Sequence, residues 1–200
     1  MSKIDLEKLE DSQFDVLKEI GNIGAGNATT ALATMLNIKV DMSVPNVALL
    51  PFDNISSFIG SEEQTVVGIL LEIQGDIDGM MMFLFDMKSA HHLVNSLMMR
   101  DVHQDENGMA DFSEIGNIVS GSYLSALSGL TGMKMVSSVP ALSIDMLGAL
   151  LSVPAIEFGK YGDKLLMIQS EFGEDDFVTG YFLLIPELES YDKILTSLGM

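Results

Sequence analysis

The sequence contains no cysteine and no tryptophan, and its 10 Lys and Arg residues are far outnumbered by 29 Asp and Glu residues. Without cysteine the chain has no disulfide, no thiolate metal site and no cysteine nucleophile, which fits a reducing cytoplasm. A formal net charge of −19 argues against nucleic acid and anionic membranes as partners, because both are negatively charged. We therefore expect a cytoplasmic protein that does not bind nucleic acid.

Long apolar runs are also missing. The longest, such as residues 66–71 and 80–85, fall far short of the about 20 residues that a transmembrane helix needs. Residues 1–13 lack the apolar region of a secretory signal. We expect no membrane insertion. Apolar residues still make up 48% of the chain and charged residues 20%, which is typical of a globular protein with a sizeable core.

One segment occurs twice. The sequence EIGNI at residues 19–23 returns at residues 114–118, 95 residues later, and the same offset relates Gly26 to Gly121. Residues 79–97 resemble residues 180–198 at an offset of 101, so six extra residues entered the second copy. A unit of this length is too long for a solenoid repeat and indicates a duplicated half-domain.

The two copies, about 11–100 and 109–200, can form either two domains or one. We favour one domain, because the polar join at residues 101–108 is short, ends in a turn-forming Asn-Gly pair, and leaves each copy with little core of its own. Each copy is expected to contain a long helix, several mainly antiparallel strands and a closing helix. The expected fold is therefore α/β (α+β), built as a pseudo-two-fold pair of such halves.

Periodicity gives the expected elements within each copy. The first long helix is expected to have Asp11 or Ser12 as its N-cap and to end near Asn37. The second is expected from about Asp111 to Leu130, with Gly132 as a stop. Strand-like stretches are residues 39–50, 65–74, 79–86, 134–145, 164–171 and 177–185. Short helices are expected at residues 54–59 and 147–151, and closing helices at residues 88–99 and 187–198.

A polar stripe follows the outside of each long helix. Asp15, Glu19 and Asn22 share one face in the first copy, and Glu114 and Asn117 do so in the second. An Asn amide is neither acid nor base, but it can accept from a water and donate to an oxyanion, as the Gln of GTPases does. A neighbouring Glu can ion-pair with a Lys of a partner. A single stripe is more often a solvated face or an interhelical hydrogen bond, but its repetition favours a paired functional site.

Each stripe is followed, after 22 residues, by a proline. This pattern resembles the signature of the CheC/CheX/FliY family of chemotaxis phosphatases. The matching positions are Asp15, Glu19, Asn22 and Pro45 in the first copy, and Glu114, Asn117 and Pro140 in the second. Two motif copies in about 200 residues, with no extra targeting domain, are similar to the CheC type.

The resemblance implies a phosphatase that hydrolyses the aspartyl phosphate of the chemotaxis response regulator CheY. Glu19 and Glu114 would contact a Lys of CheY, and Asn22 and Asn117 would orient the attacking water. The resemblance also implies a complex with the receptor deamidase CheD. No metal site or cofactor of the chain's own is expected, and the Mg²⁺ of the reaction would belong to phosphorylated CheY. The alternative is a non-catalytic adaptor that binds CheD or other chemotaxis proteins.

The second copy departs from the family pattern at one position. Ala110 stands where the family has Asp or Ser and where the first copy has Asp15. A methyl group can neither orient the neighbouring Glu nor add a hydrogen bond. We therefore expect the first site to contribute more of the activity than the second.

The glycines of the first motif allow another interpretation. Gly21, Gly24 and Gly26 have a spacing that resembles a phosphate-cradling loop, but no Gly-Lys-Ser/Thr follows and the segment is helical rather than strand-like. We favour the simpler hypothesis that these small residues let the two repeated helices cross closely.

Overall fold

The fold of the chain is seen in a computed structural model, which describes residues 10–36, 46–98, 106–158, 164–172 and 178–199. Both copies contain the expected order of a long helix, strands and a closing helix. The first copy comprises α1 (Asp11–Leu36), β1 (Asn46–Pro51), α2 (Phe52–Ile59), β2 (Thr65–Gly75), β3 (Gly79–Asp86) and α3 (Met87–Met98). The second comprises α4 (Glu106–Thr131), β4 (Met135–Ser137), β5 (Ala141–Met146), α5 (Leu147–Phe158), β6 (Lys164–Phe172), β7 (Val178–Pro186) and α6 (Leu188–Ser197).

The first long helix begins one residue after its cap. The backbone N–H of Glu10 donates to the Gln13 side chain at 3.0 Å, and the Glu10 carbonyl accepts from the N–H groups of Gln13 and Phe14. A Gln at the third helical position that returns to the cap residue is the arrangement of a capping box. The expected cap at Asp11 or Ser12 is therefore wrong by one or two residues.

The second long helix begins earlier than expected. Asn107 and Gly108, which the sequence places in a turn, lie in its first turn. Backbone N–H groups in a first turn have no intrahelical partner, so weak helix formers are tolerated there. The stop at Gly132 is confirmed, because this residue has a φ of +70° and its N–H donates to the Ser128 carbonyl at 2.8 Å.

The strand expected at residues 134–145 is divided into β4 and β5. Ser138 interrupts it by exchanging hydrogen bonds with Glu72 of β2, through its N–H at 2.9 Å and its hydroxyl at 3.0 Å. Pro140 follows and has no N–H to give to a ladder. Of the strand expected at residues 39–50, the part before residue 46 lies outside the described residues.

The seven strands form one antiparallel sheet in the order β1-β6-β7-β3-β2, with β4 and β5 both paired to the remaining edge of β2. The central pair is β3 and β7. In it Met82 lies opposite Leu183, and these two residues are themselves related by the 101-residue offset of the repeat. The pseudo-two-fold axis therefore passes through this pair.

The two copies exchange strands across the axis. The first copy supplies β1, which pairs with β6 of the second, and the second copy supplies β5, which pairs with β2 of the first. Neither copy has the complete sheet by itself. On this basis we propose that the two repeats form one domain.

Helices cover both faces of the sheet. The larger apolar cluster packs α1, α3, α4 and α6 against one face, to which β2 contributes Val67, Ile69 and Leu71. The smaller cluster packs α2 and α5 against the other face, to which β2 contributes Val66. Because side chains alternate along a strand, one strand supplies both clusters.

The long helices α1 and α4 lie against each other on the larger cluster. At their contact a Cβ on Gly24 would overlap the ring of Tyr123, so glycine allows this close approach. The Tyr123 ring is 1% exposed and also packs on Phe182, with ring centroids 4.3 Å apart. Burial, with a smaller contribution from the nearby Tyr191, raises the pKa of Tyr123 well above its ordinary value.

The replacement Gly24→Ala tests this contact. Overpacking against a fully buried ring should outweigh the better helix propensity of Ala and lower the free energy of unfolding by about 1–3 kcal/mol. Gly129→Ala is the matched control, because a Cβ at Gly129 of α4 would meet no described atom within 4 Å. Urea denaturation gives both values. An unchanged or higher stability of Gly24→Ala would show that the helices do not depend on this approach.

Candidate active site on the two repeated helices

The first polar stripe lies on the outer face of α1, which is a helix of 26 residues. Asp15 and Glu19 are exposed and Asn22 is partly buried, whereas Leu17 and Ile20 of the same segment are buried in the core. The helical period therefore separates the polar stripe from the packing face. No hydrogen bond joins Asp15 to Glu19 in the part of the chain that the structure describes.

The second stripe lies on the outer face of α4, where Glu114 and Asn117 are both exposed. Ser120, three residues after Asn117, is fully buried. The Ser120 hydroxyl donates a hydrogen bond to the backbone carbonyl of Asn117 at 3.1 Å. Sequence reasoning did not single out Ser120. The repeat gives no signal for it, because Ala25 occupies the equivalent position in the first copy.

The two glutamates have no cation to bind in the part of the chain that the structure describes. Neither Glu19 nor Glu114 has an ion-pair or hydrogen-bond partner among the described residues. The single Lys of α1 is Lys18, whose ammonium lies 4.7 Å from the centre of the Phe14 ring, and α4 contains no Lys or Arg. Both carboxylates can therefore pair with a cation from outside the chain.

The two asparagines differ in their surroundings. The Asn22 side-chain oxygen is buried and accepts no hydrogen bond from the described residues, whereas Asn117 is exposed. A buried acceptor without a donor costs about 1–3 kcal/mol. The first copy thus holds an unsatisfied amide oxygen next to an exposed carboxylate.

The motif Glu and Asn side chains do not meet in the groove between the long helices. A solvent-facing groove runs between the two helices and is lined by uncharged side chains. These are Asn27, Thr30, Ala31 and Thr34 of α1 and Ile118, Ser122, Ser125 and Ala126 of α4. None of the Glu or Asn residues of the motifs lines this groove, so the helices present two separate candidate sites.

The positions expected to support the motifs are only partly visible. Pro140 is partly buried in the loop that leads into β5. Pro45 lies outside the described residues, and so does the side chain of Ala110. The expected difference in strength between the two sites therefore stays a prediction.

Within the described ranges, no three His, Asp or Glu side chains converge as a metal site would require. No helix in those ranges is both long and apolar enough to cross a bilayer.

Solved structures with the same fold include FliY of Thermotoga maritima, with a TM-score of 0.76 at 21% identity, over 96% of this chain and 98% of that one. A complex of CheX with CheY, BeF₃ and Mg²⁺ from Borrelia burgdorferi matches with a TM-score of 0.56 at 16% identity, over 82% of this chain and 95% of that one. The fold expected from the repeat is confirmed.

Sequence comparisons are more specific. A model of the CheC-like family matches residues 13–49, and a model of the chemotaxis phosphatase CheX matches residues 67–152. The chain is 32% identical to the CheY-P phosphatase CheC of Bacillus subtilis, over 96% of each chain. The first match covers the motif helix α1 and the second includes the motif of α4. The chain therefore belongs to the CheC-like family of chemotaxis phosphatases.

Proposed function

We propose that the chain hydrolyses the aspartyl phosphate of a phosphorylated CheY-type response regulator at two sites, Glu19 with Asn22 and Glu114 with Asn117. The observation that carries this proposal is the repeated carboxylate and carboxamide on the outer faces of two packed helices. Neither carboxylate has a partner among the described residues, so neither stabilises the fold there through an ion pair. The name of the Bacillus subtilis relative supports the choice of substrate.

The chemistry divides between the two side chains. In phosphoryl transfer the protein contributes mainly positioning and electrostatic stabilisation, because little covalent chemistry is required of it. Each Glu is proposed to pair with a Lys of the regulator and fix the docked orientation. Each Asn is proposed to hold the attacking water in line with the phosphorus. The water then displaces the aspartate oxygen, and inorganic phosphate leaves.

At the first site this role requires a rotation of the Asn22 amide. Its oxygen is turned into the protein, and it has to face outward to accept a hydrogen bond from the water. The amide is held by no side-chain hydrogen bond within the described residues, so a rotation about its last torsion breaks nothing. At the second site Asn117 is already exposed.

The metal of the reaction is assigned to the regulator. Mg²⁺ would neutralise charge on the phosphoryl group from the regulator's side. The residues proposed here for this chain do not include a metal ligand, and the chain's part is to dock the regulator and place the water.

Replacement of both asparagines tests the water-positioning role. Asn22→Ala/Asn117→Ala should lower the catalysed rate of phosphate release by about 10²-fold or more, the effect expected when a polar group that stabilises the transition state is removed. Binding to the phosphorylated regulator should change little, because the glutamates remain. A steady-state phosphate-release assay and a binding titration measure the two effects. Near-normal turnover in the double variant would contradict the role of Asn.

A second candidate function is that of an adaptor for CheD or another chemotaxis protein. Exposed apolar side chains lie on α2 and α5, which cover the sheet face opposite to α1 and α4. Phe58 is 46% exposed, Val153 42% and Ile156 68%. Exposed apolar side chains that adjoin one another can form a protein interaction surface. This surface is available without blocking either motif.

The two surfaces can be separated by experiment. We expect Glu19→Ala/Glu114→Ala to weaken regulator binding and to leave CheD binding unchanged, since the motif stripes lie on the other side of the sheet. Pull-down of each partner by the folded variant, with circular dichroism as the folding control, gives the result. If both partners are lost together, they share one surface and the separation is wrong.

A further inference from the structure

Both copies retain a glycine one helical turn after the motif asparagine. Gly26 follows Asn22 by four residues, and Gly121 follows Asn117 by the same spacing. Residues four apart lie on the same face of a helix, so each glycine continues the outer face that carries the motif. The two glycines are partly or fully exposed in the middle of α1 and α4.

Packing among the residues that the structure describes does not explain these two glycines. A Cβ built at Gly26 or at Gly121 would meet no described atom within 4 Å. Neither glycine is among those with a positive φ, so the backbone does not require glycine either. The sequence hypothesis of a close helix crossing is therefore correct for Gly24, which faces Tyr123, and wrong for Gly26.

Other glycines of the same helices behave differently. A Cβ at Gly116 would lie 2.7 Å from the Cγ2 atom of Ile69, so this glycine has a packing reason. Gly129 is as open as Gly121, but its counterpart in the first copy is Thr34, so the repeat does not retain it. Glycine is a poor helix former in a helix interior. Retention in both copies at an open position thus has no reason in the packing of the described residues.

We propose that Gly26 and Gly121 are clearance residues, against which the docked response regulator packs its backbone or a side chain. This rests on the proposed function of the two motifs. The amide carbon of an Asn side chain is only two bonds from the Cα atom, so the amide stays close to the helix. For that amide to reach a water at the aspartyl phosphate, the surface of the regulator has to lie almost on the helix. The next turn of the same face then has no room for a side chain.

The double variant Gly26→Ala/Gly121→Ala tests the proposal. Because Ala is the better helix former and fills open space, we expect a higher urea midpoint of unfolding than in the wild type. The added methyl groups should raise KM for the phosphorylated regulator at least tenfold. They should weaken binding of the regulator loaded with BeF₃⁻ and Mg²⁺ by a similar factor. A stabilised protein that docks poorly is a result that a purely structural role would not give.

Gly129→Ala is the matched control, since it adds the same methyl group to an open position of α4 outside the motif. Its urea midpoint should rise while KM stays unchanged. An unchanged KM and an unchanged affinity in the double variant would overturn the clearance proposal. A lower urea midpoint in the double variant would also overturn it, because the glycines would then be needed for folding.

The same measurements separate this proposal from the proposed function. If Asn22→Ala/Asn117→Ala keeps full activity while Gly26→Ala/Gly121→Ala loses regulator binding, the clearance residues stand and the water-positioning role fails. If the wild-type chain neither binds nor dephosphorylates the regulator, both proposals fail.

Discussion

The pairing of β3 with β7 is the interaction on which the rest of the structure depends. It joins the two copies at the pseudo-two-fold axis, where Met82 lies opposite Leu183. From there each copy extends the sheet and gives one strand to the other, β1 to β6 and β5 to β2. The long helices then lie side by side over the same face, because each must cover the apolar side of its own strands. Two motifs on one side of the protein follow from this symmetry.

The two copies agree at the outward Glu and Asn but differ at the contact between the long helices. At the helix contact Gly24 faces Tyr123, whereas the repeat equivalents of these residues are Val119 and Ala28. The first pair combines a glycine with a large ring and the second combines two smaller side chains, and cores tolerate such differences. The outward Glu and Asn, and the open glycine after them, have not changed. An exposed carboxylate with no partner among the described residues has no packing reason to remain the same in both copies.

Much of the fold could be predicted from the sequence. The long helices, most strands and the polar stripe depend on local periodicity, and the repeat can be read directly from the sequence. The exchange of strands could not, because pairing between β1 and β6 is set by tertiary contacts. The division at Ser138 was missed for the same reason, since its hydrogen bonds go to Glu72 on another strand. The contact between Gly24 and Tyr123 could not be predicted either. A glycine in a sequence does not show whether the space at its Cα faces an aromatic ring or solvent.

The central claim is that this chain accelerates hydrolysis of a regulator's aspartyl phosphate. The most direct test follows loss of phosphate from a phosphorylated CheY-type regulator in Mg²⁺ buffer as the concentration of the chain is raised. The account predicts a decay rate that rises with the chain's concentration and releases inorganic phosphate, with the chain unchanged at the end. A regulator that binds the chain but decays at its own unassisted rate would contradict the account.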